Sequence, residues 1–442
     1  MSSTRAPELL GRMAAVVDAP LADSRQLAAV SGFLFPVLTL MVRLPQTMVP
    51  LGVLTTVGLV TGSPALGALC AGAVTFGSAL CGIAMGAAAS WRHRRLVLVL
   101  LTLLQPLTLW WIVRLLPGPD APADAPADAA RLVPACLLAG LVLPQMGVVC
   151  RLRWLSLLCR DSREDLVDAA LRHESVMDSL GTVLAAVLAG VVAVTLGPGA
   201  VLALAAGLTL VGTAAVLLHR SARLPPAAFH YRPPLPPAPT RAARQHRRRL
   251  RELRLLPVVG TTALGALVGS MLGAVAVFAF SVDALVSVSW LYAVAGLTSV
   301  LAAVLGSSGA ATGGLWNRWV VAAAASVLAS MLLSIPDDSV GMVVVLALAG
   351  LTIGPGLVAV YEIAALVAPS ARVTALTTVM TAGMSVGLTL GLVLSGWSGE
   401  HWGYRTAALF PVLSAAVGLA AALRFVHRWR RTAPPAPRPA GG

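Results

Sequence analysis

The chain has 442 residues, 57% of them hydrophobic and only 11% charged, with a mean hydropathy of +0.85. Soluble domains carry roughly 25% charged residues, so this composition excludes an ordinary water-soluble protein and indicates a polytopic membrane protein. The formal charge of +14 arises from 32 basic residues, all arginine, against 18 acids; these arginines fall between apolar runs of about 20 residues, which is a topology pattern and not a nucleic-acid footprint.

In chain order, the first 30 residues hold Arg5, Glu8, Arg12, Asp18 and Asp23 without an apolar core and small-residue cleavage site, so no cleaved signal peptide is expected. Runs long enough to cross ~30 Å of hydrocarbon then predict about twelve helices. The first six lie near 31–58, 65–88, 96–115, 132–152, 176–196 and 199–219. The other six lie near 256–280, 285–306, 319–335, 341–366, 373–396 and 406–427.

A charge inside hydrocarbon needs a reason, and Arg43 in the first helix is the clearest case. It cannot realistically lose its proton, so it faces a cavity, a carboxylate or the headgroup region; snorkelling to the interface is the simpler alternative. Pro45 and Pro50 are expected to kink the helix beside it. Arg43 and Gln46, with Gln145 further on, are candidates for the inner part of a central cavity. Between the third and fourth helices, the Ala/Pro/Asp repeat Asp120–Asp128 reads as a flexible loop. Cys70, Cys81, Cys136, Cys150 and Cys159 show no metal spacing and read as small packing residues.

Glu174 and Asp178 open the fifth helix four residues apart on one face. Capping of the helix N-terminus explains them simply. Residues 220–255 form the one long polar interruption. Their Pro-rich first part reads as an extended linker, and the basic block Arg241–Arg254 is expected to rest on a surface of anionic lipid. This divides the chain into residues 1–219, the linker 220–255 and residues 256–442.

In the second part, Tyr292 and Tyr361 are among the few aromatic residues that could line a cavity. Glu362 in the tenth helix is a candidate proton site, since burial raises a carboxyl pKa; a structural contact to an arginine such as Arg372 is the alternative. Gly383, Gly387 and Gly391 repeat every four residues, a spacing for close helix approach expected between the two parts. Trp91, Trp154, Trp316 and Trp319 fall near helix ends and read as interfacial anchors. With the N-terminus inside, arginine collects on one side and leaves only Arg114, Arg131 and Arg405 on the other. Both termini and the linker are therefore expected in the cytoplasm, and the chain in the plasma membrane.

Six helices, a basic loop and six more resemble the major facilitator superfamily, and local motifs carry the resemblance further. Gly86-Ala-Ala-Ala-Ser90-Trp91-Arg92-His93-Arg94-Arg95 is similar to that family's element after its second helix. The first glycine and last two arginines match, while Ser90, Trp91 and His93 depart from it. Gly181, Ala185, Ala186, Ala189 and Gly190 keep the small-residue spacing of the efflux branch's fifth helix without its proline. Pro144–Trp154 and Ala375–Gly403 resemble stretches of actinobacterial-type members. The resemblance implies two six-helix bundles and an inner gate in which Gly86, Arg94, Arg95, Glu174 and Asp178 take part.

No catalytic constellation, metal spacing or nucleotide phosphate loop is visible, so neither an enzyme nor a cofactor is expected. The expected function is secondary transport by alternating access: export of a small organic molecule, coupled to protons, by a monomer. The alternatives are an uptake or facilitative carrier for an anionic metabolite, with Arg43 as charge partner, and a degenerate, non-transporting member.

Overall fold

Proline decides where the apolar runs break. Pro45 lacks the N–H that would bond the Met41 carbonyl, so the first span stops at Met41, turns through Val42 and Arg43, and restarts with Pro45 in the first turn, where proline is tolerated. Pro144 interrupts the fourth span in the same way, between Leu141 and Met146. The sequence predicts the first span as one helix kinked at Pro45 and Pro50, and the fourth as an unbroken helix. Pro50, Pro106, Pro134, Pro257 and Pro355 are instead carried inside their helices.

The computed structural model describes residues 34–87, 94–117, 128–160, 166–219, 241–282, 287–307, 315–367 and 373–432, with Leu27, Gly32, Arg163 and Ala284 as isolated positions. In chain order its helices are α1 Leu34–Met41, α2 Leu44–Thr61, α3 Pro64–Ala87, α4 Arg94–Leu115, α5 Ala129–Leu141, α6 Met146–Arg160, α7 Val167–Leu196 and α8 Pro198–Leu218. There follow α9 Arg241–Ser281, α10 Val288–Ser307, α11 Leu315–Met331, a 3₁₀ turn at Leu332–Ser334, α12 Ser339–Val367, α13 Val373–Trp402, α14 Tyr404–Ala407 and α15 Leu409–Thr432. Among the described residues, 11 helical spans are long and apolar enough to cross a membrane, and Val288–Ala303 is a shorter apolar helix. The architecture is all-α and polytopic, as expected. The arginine and proline linker as far as residue 240, the Asp120 repeat before Asp128, Ser90, Trp91, His93 and Arg372 lie outside the described residues.

Helix α9 differs from expectation. Its transmembrane span begins at Leu253, yet the same helix starts at Arg241. The basic block is thus a continuation of the seventh span by about 18 Å at 1.5 Å per residue, not a separate surface helix.

Residues 44–208 build one core around Met48, Val53, Val74, Ile112, Cys136 and Leu202, while residues 253–425 build another around Leu267, Phe278, Leu291, Leu346 and Ile363. The second core also takes in Leu51, Leu54, Ala68, Ala71 and Ala186 from the first half of the chain. All five lie in the parts of their helices farther from the arginine-rich ends. The two halves meet through α3 on α13 and α7 on α10.

The glycines of α13 have a different role from the expected one. A Cβ on Gly387 would strike the Thr262 carbonyl, and one on Gly391 the Ala266 carbonyl. Reciprocally, Gly265, Gly269 and Gly273 of α9 receive the backbone of Met384, Leu388 and Leu392. This zipper joins α9 to α13 within the second half, and the contact between halves uses another face of α13. Two tryptophans also correct the anchor reading: Trp154 is 0% and Trp319 is 1% exposed. Trp316 is partly buried against Phe425 and Trp429.

Candidate functional site

The turn that interrupts the first span delivers Arg43 into the interior, where it is 3% exposed. All three guanidinium nitrogens are engaged. Nη1 donates to the Thr39 carbonyl at 2.6 Å, Nε to Asp178 Oδ1 at 2.5 Å, and Nη2 to Glu174 Oε2. The planar fork of arginine suits two carboxylates at once. Glu174 and Asp178 present that pair because they stand one turn apart on α7.

Each acid has a second donor. Trp154 Nε1–H donates to Glu174 Oε1 at 2.8 Å, and Arg151 Nη2 donates to Asp178 Oδ2. The order is Trp154, Glu174, Arg43, Asp178, Arg151. Its two positive and two negative charges cancel, which lets it exist where single charges are costly. Glycines make room for it. A Cβ on Gly181 would lie 3.2 Å from the Arg43 Cβ, and one on Gly147 would lie 3.4 Å from Asp178 Oδ1.

The cluster grades from closed to open. Glu174 is wholly buried and Arg43 nearly so, whereas the side chains of Asp178 and Arg151 are 34% and 48% exposed. Burial pushes the Glu174 carboxyl up, with Arg43 acting against the shift. The adjacent His173 imidazole is pushed down, by burial first and by the Arg43 charge second. Of the alternatives for Arg43, the structure selects the carboxylate partner over the headgroup region. Glu174 and Asp178 are not helix caps, since α7 begins at Val167 and both lie inside it.

Gln46 lies one turn beyond Arg43. Its Nε2 is 3.4 Å from the Pro144 carbonyl and 3.5 Å from Gln145 Oε1, while Gln145 Nε2 donates to the Leu143 carbonyl at 3.3 Å. The breaks in the first and fourth spans therefore face one another through two amides. Gly82 of α3 borders the same place, a Cβ there lying 3.6 Å from Gln145.

The remaining sequence candidates are dispersed. Tyr361 Oη is 3.3 Å from Thr381 Oγ1, joining α12 to α13. Glu362 is 43% exposed and pairs with Arg318 of its own half at 3.5 Å. Tyr292 packs against the second core. Gly86 and Arg94 occur where the backbone is helical and side chains are not described, and Arg95 is exposed. Ala185 and Ala189 fill the first core, Ala186 reaches into the second, and Gly190 admits the indole of Trp290 from α10. The fifth-helix pattern thus serves both cores. Cys70, Cys81, Cys136 and Cys150 are buried free thiols. Among the described residues, no group of three or more His, Cys, Asp or Glu side chains could hold a metal.

Sequence reasoning missed Arg151 and Trp154 as members of this cluster. The signal was there in part, since Trp154 lies on α6 one turn beyond Arg151, but it named no partner on α7.

No family model matches the sequence, and neither does any curated protein. Solved structures match over nearly the whole chain. A nucleoside transporter, NupG, superposes with a TM-score of 0.63 at 14% identity, over 90% of this chain and 99% of its own. An auto-inhibited POT family peptide transporter gives 0.61 at 13% identity, over 90% and 97%. A bacterial homologue of the human lysosomal transporter Spinster, in an inward-facing and unoccupied conformation, gives 0.58 at 15%, over 92% and 98%. At these identities the likeness establishes the fold, which is the major facilitator fold.

Proposed function

We propose that this chain is a secondary active transporter that exports a small organic molecule by alternating access in exchange for protons. The observation that carries the reading is the uneven contact between the halves. Leu51, Leu54, Ala68, Ala71 and Ala186 pack across at one end, while Thr378, Thr381 and Glu362 stand exposed toward the arginine-rich end. A molecule closed at one end and open at the other is one of the two states that alternating access requires. The fold shared with nucleoside and peptide transporters supports the same class.

In this reading residues 1–219 and 256–442 are the two moving bundles, residues 220–255 tether them in the cytoplasm, and the protein is a monomer of the plasma membrane. Gln46 and Gln145, placed where two broken helices meet, offer amide donors and acceptors to a polar substrate. Glu362 is the proton-coupling candidate; Asp178, held between two arginines and one-third exposed, is the second. Gly86, Arg94 and Arg95 belong to the gate at the arginine-rich end.

The test uses vesicles of the full chain with an internal pH dye and a panel of metabolites. A substrate that elicits proton movement is expected with the parent chain and lost with Glu362→Gln. Retained coupling would transfer the role to Asp178, checked with Asp178→Asn, and coupling by both variants would sink the proton reading.

The carrier for an anionic metabolite remains as a second reading because Arg151 is half-exposed. Arg43 itself is fully engaged by Glu174, Asp178 and Thr39. Arg151→Gln would then abolish anion binding and spare neutral compounds.

A further inference from the structure

We propose that Glu400 is a latch that holds the end of the molecule opposite the arginine-rich end closed, a role that rests on the alternating-access reading. The first N–H groups of a helix lack intrahelical partners and carry partial positive charge. Helix α3 begins at Pro64, and Ser63 caps it locally, its Oγ accepting the Leu66 N–H at 3.0 Å. A second cap comes from the other half of the chain. Glu400, in the last turn of α13, accepts the Ala65 N–H at 2.8 Å and the Ser63 hydroxyl at 2.6 Å through Oε2. One carboxylate oxygen thus ties the start of α3 to the end of α13.

The contacts beneath it are apolar or weak. Gly396 lies against Ala68, Gly72 lies against Val393, and Thr389 Oγ1 donates to the Gly72 carbonyl at 3.4 Å. Small side chains in contact at this level separate without leaving a buried charge behind. Nearer the arginine-rich end, α13 presents Thr378, Val379 and Thr381 to the open. A motion that parts α3 from α13 at the closed end therefore has to break the Glu400 bonds first. Charge-assisted hydrogen bonds of this kind are the directional part of that closure. Glu400 acts as a positioning residue, since it sets which end is open and touches no substrate.

The experiment reads both ends at once in the full chain reconstituted in lipid nanodiscs. With the native cysteines replaced, Val393→Cys reports beneath the latch and Thr381→Cys reports at the arginine-rich end. Each is followed by its reaction rate with a charged maleimide. Glu400→Ala is expected to raise the Val393→Cys rate about tenfold, the scale of one charge-assisted bond, and to lower the Thr381→Cys rate. Glu400→Gln, which keeps an acceptor without the charge, is expected to lie between. Ser63→Ala is expected to shift the rates least and in the same directions; if Glu400→Ala fails to fold, these two carry the test. Rates that rise together at both ends would mean general loosening and would overturn the latch, as would rates that do not change. Because labelling reads conformation and not flux, opposite shifts in a chain that moves no substrate would count against the transport reading alone.

Discussion

The first and fifth spans of each half of the chain meet in different ways, and the difference separates what is chemical in this molecule from what is mechanical. In the first half, α1 and α2 meet α7 through Arg43, Glu174 and Asp178, at a break in the helix. In the second half, α9 meets α13 through glycines that receive one another's backbone, along unbroken helices. The charged contact depends on directional bonds between long side chains, each acid accepting from two donors. The glycine contact depends on main chain against main chain and cannot yield without separating the helices. The first half therefore holds a cluster of charges, and the second a contact of main chain on main chain.

The largest test of this contrast removes Arg43. Arg43→Met strands the Glu174 carboxylate in the interior, and breaking a buried pair from one side costs ~3–5 kcal/mol. Thermal unfolding in detergent is expected to show that loss, and Arg43→Met combined with Glu174→Gln is expected to recover much of it. Equal loss in the single and double variants would show that the cluster is not held by charge. Next comes the zipper. Gly269→Ala places a methyl group on the Leu388 carbonyl and is expected to cost ~3 kcal/mol, the upper range of overpacking, because a backbone cannot move aside. Gly181→Ala, which meets the Arg43 and Leu40 side chains and no backbone, is expected to cost clearly less. If the two glycines behaved alike, the contrast between halves would fail.

How far the sequence foretold this follows the same division. The spans were legible because apolar length alone marks them, and the major facilitator arrangement was what the chain's resemblance to that family implied. The charges were legible as residues without partners: Arg43, Glu174 and Asp178 each stood out, but nothing local pairs positions 131 and 135 residues apart. The Pro144 break was missed because Pro134 and Pro50, in similar apolar runs, are tolerated inside helices. Gly383, Gly387 and Gly391 declared a close approach and not its partner. Only the matching period of Gly265, Gly269 and Gly273 could have pointed to α9.

A smaller effect is expected from Trp154→Phe, which keeps the ring and deletes the N–H that Glu174 accepts. The loss is expected near ~1.5 kcal/mol, the low end for a bond to a charged group, since Arg43 still holds the carboxylate. Thermal unfolding beside Trp319→Phe, a tryptophan equally buried in the second half, provides the comparison. Similar losses at both sites would mean that Trp154 acts by packing alone.

The smallest expected effect is a dependence on pH. Burial and the Arg43 charge hold the His173 imidazole below its ordinary value of 6.5. Above that value the ring is neutral whether the chain is folded or unfolded, and it contributes no pH dependence. As pH falls through 6.5, the unfolded chain takes up a proton that the folded chain refuses, so stability is lost until the folded ring also protonates. Glu174 acts in the opposite sense. Its raised carboxyl keeps a proton to higher pH when folded, so its contribution falls as pH rises from the ordinary 4.5. The difference between the parent chain and His173→Gln isolates the histidine. That difference is expected to be flat above pH 6.5 and to move in favour of the variant as the pH drops. A parent chain that lost no stability relative to His173→Gln below pH 6.5 would mean that neither burial nor the Arg43 charge holds the imidazole down, and would limit the charged cluster to its four charged residues.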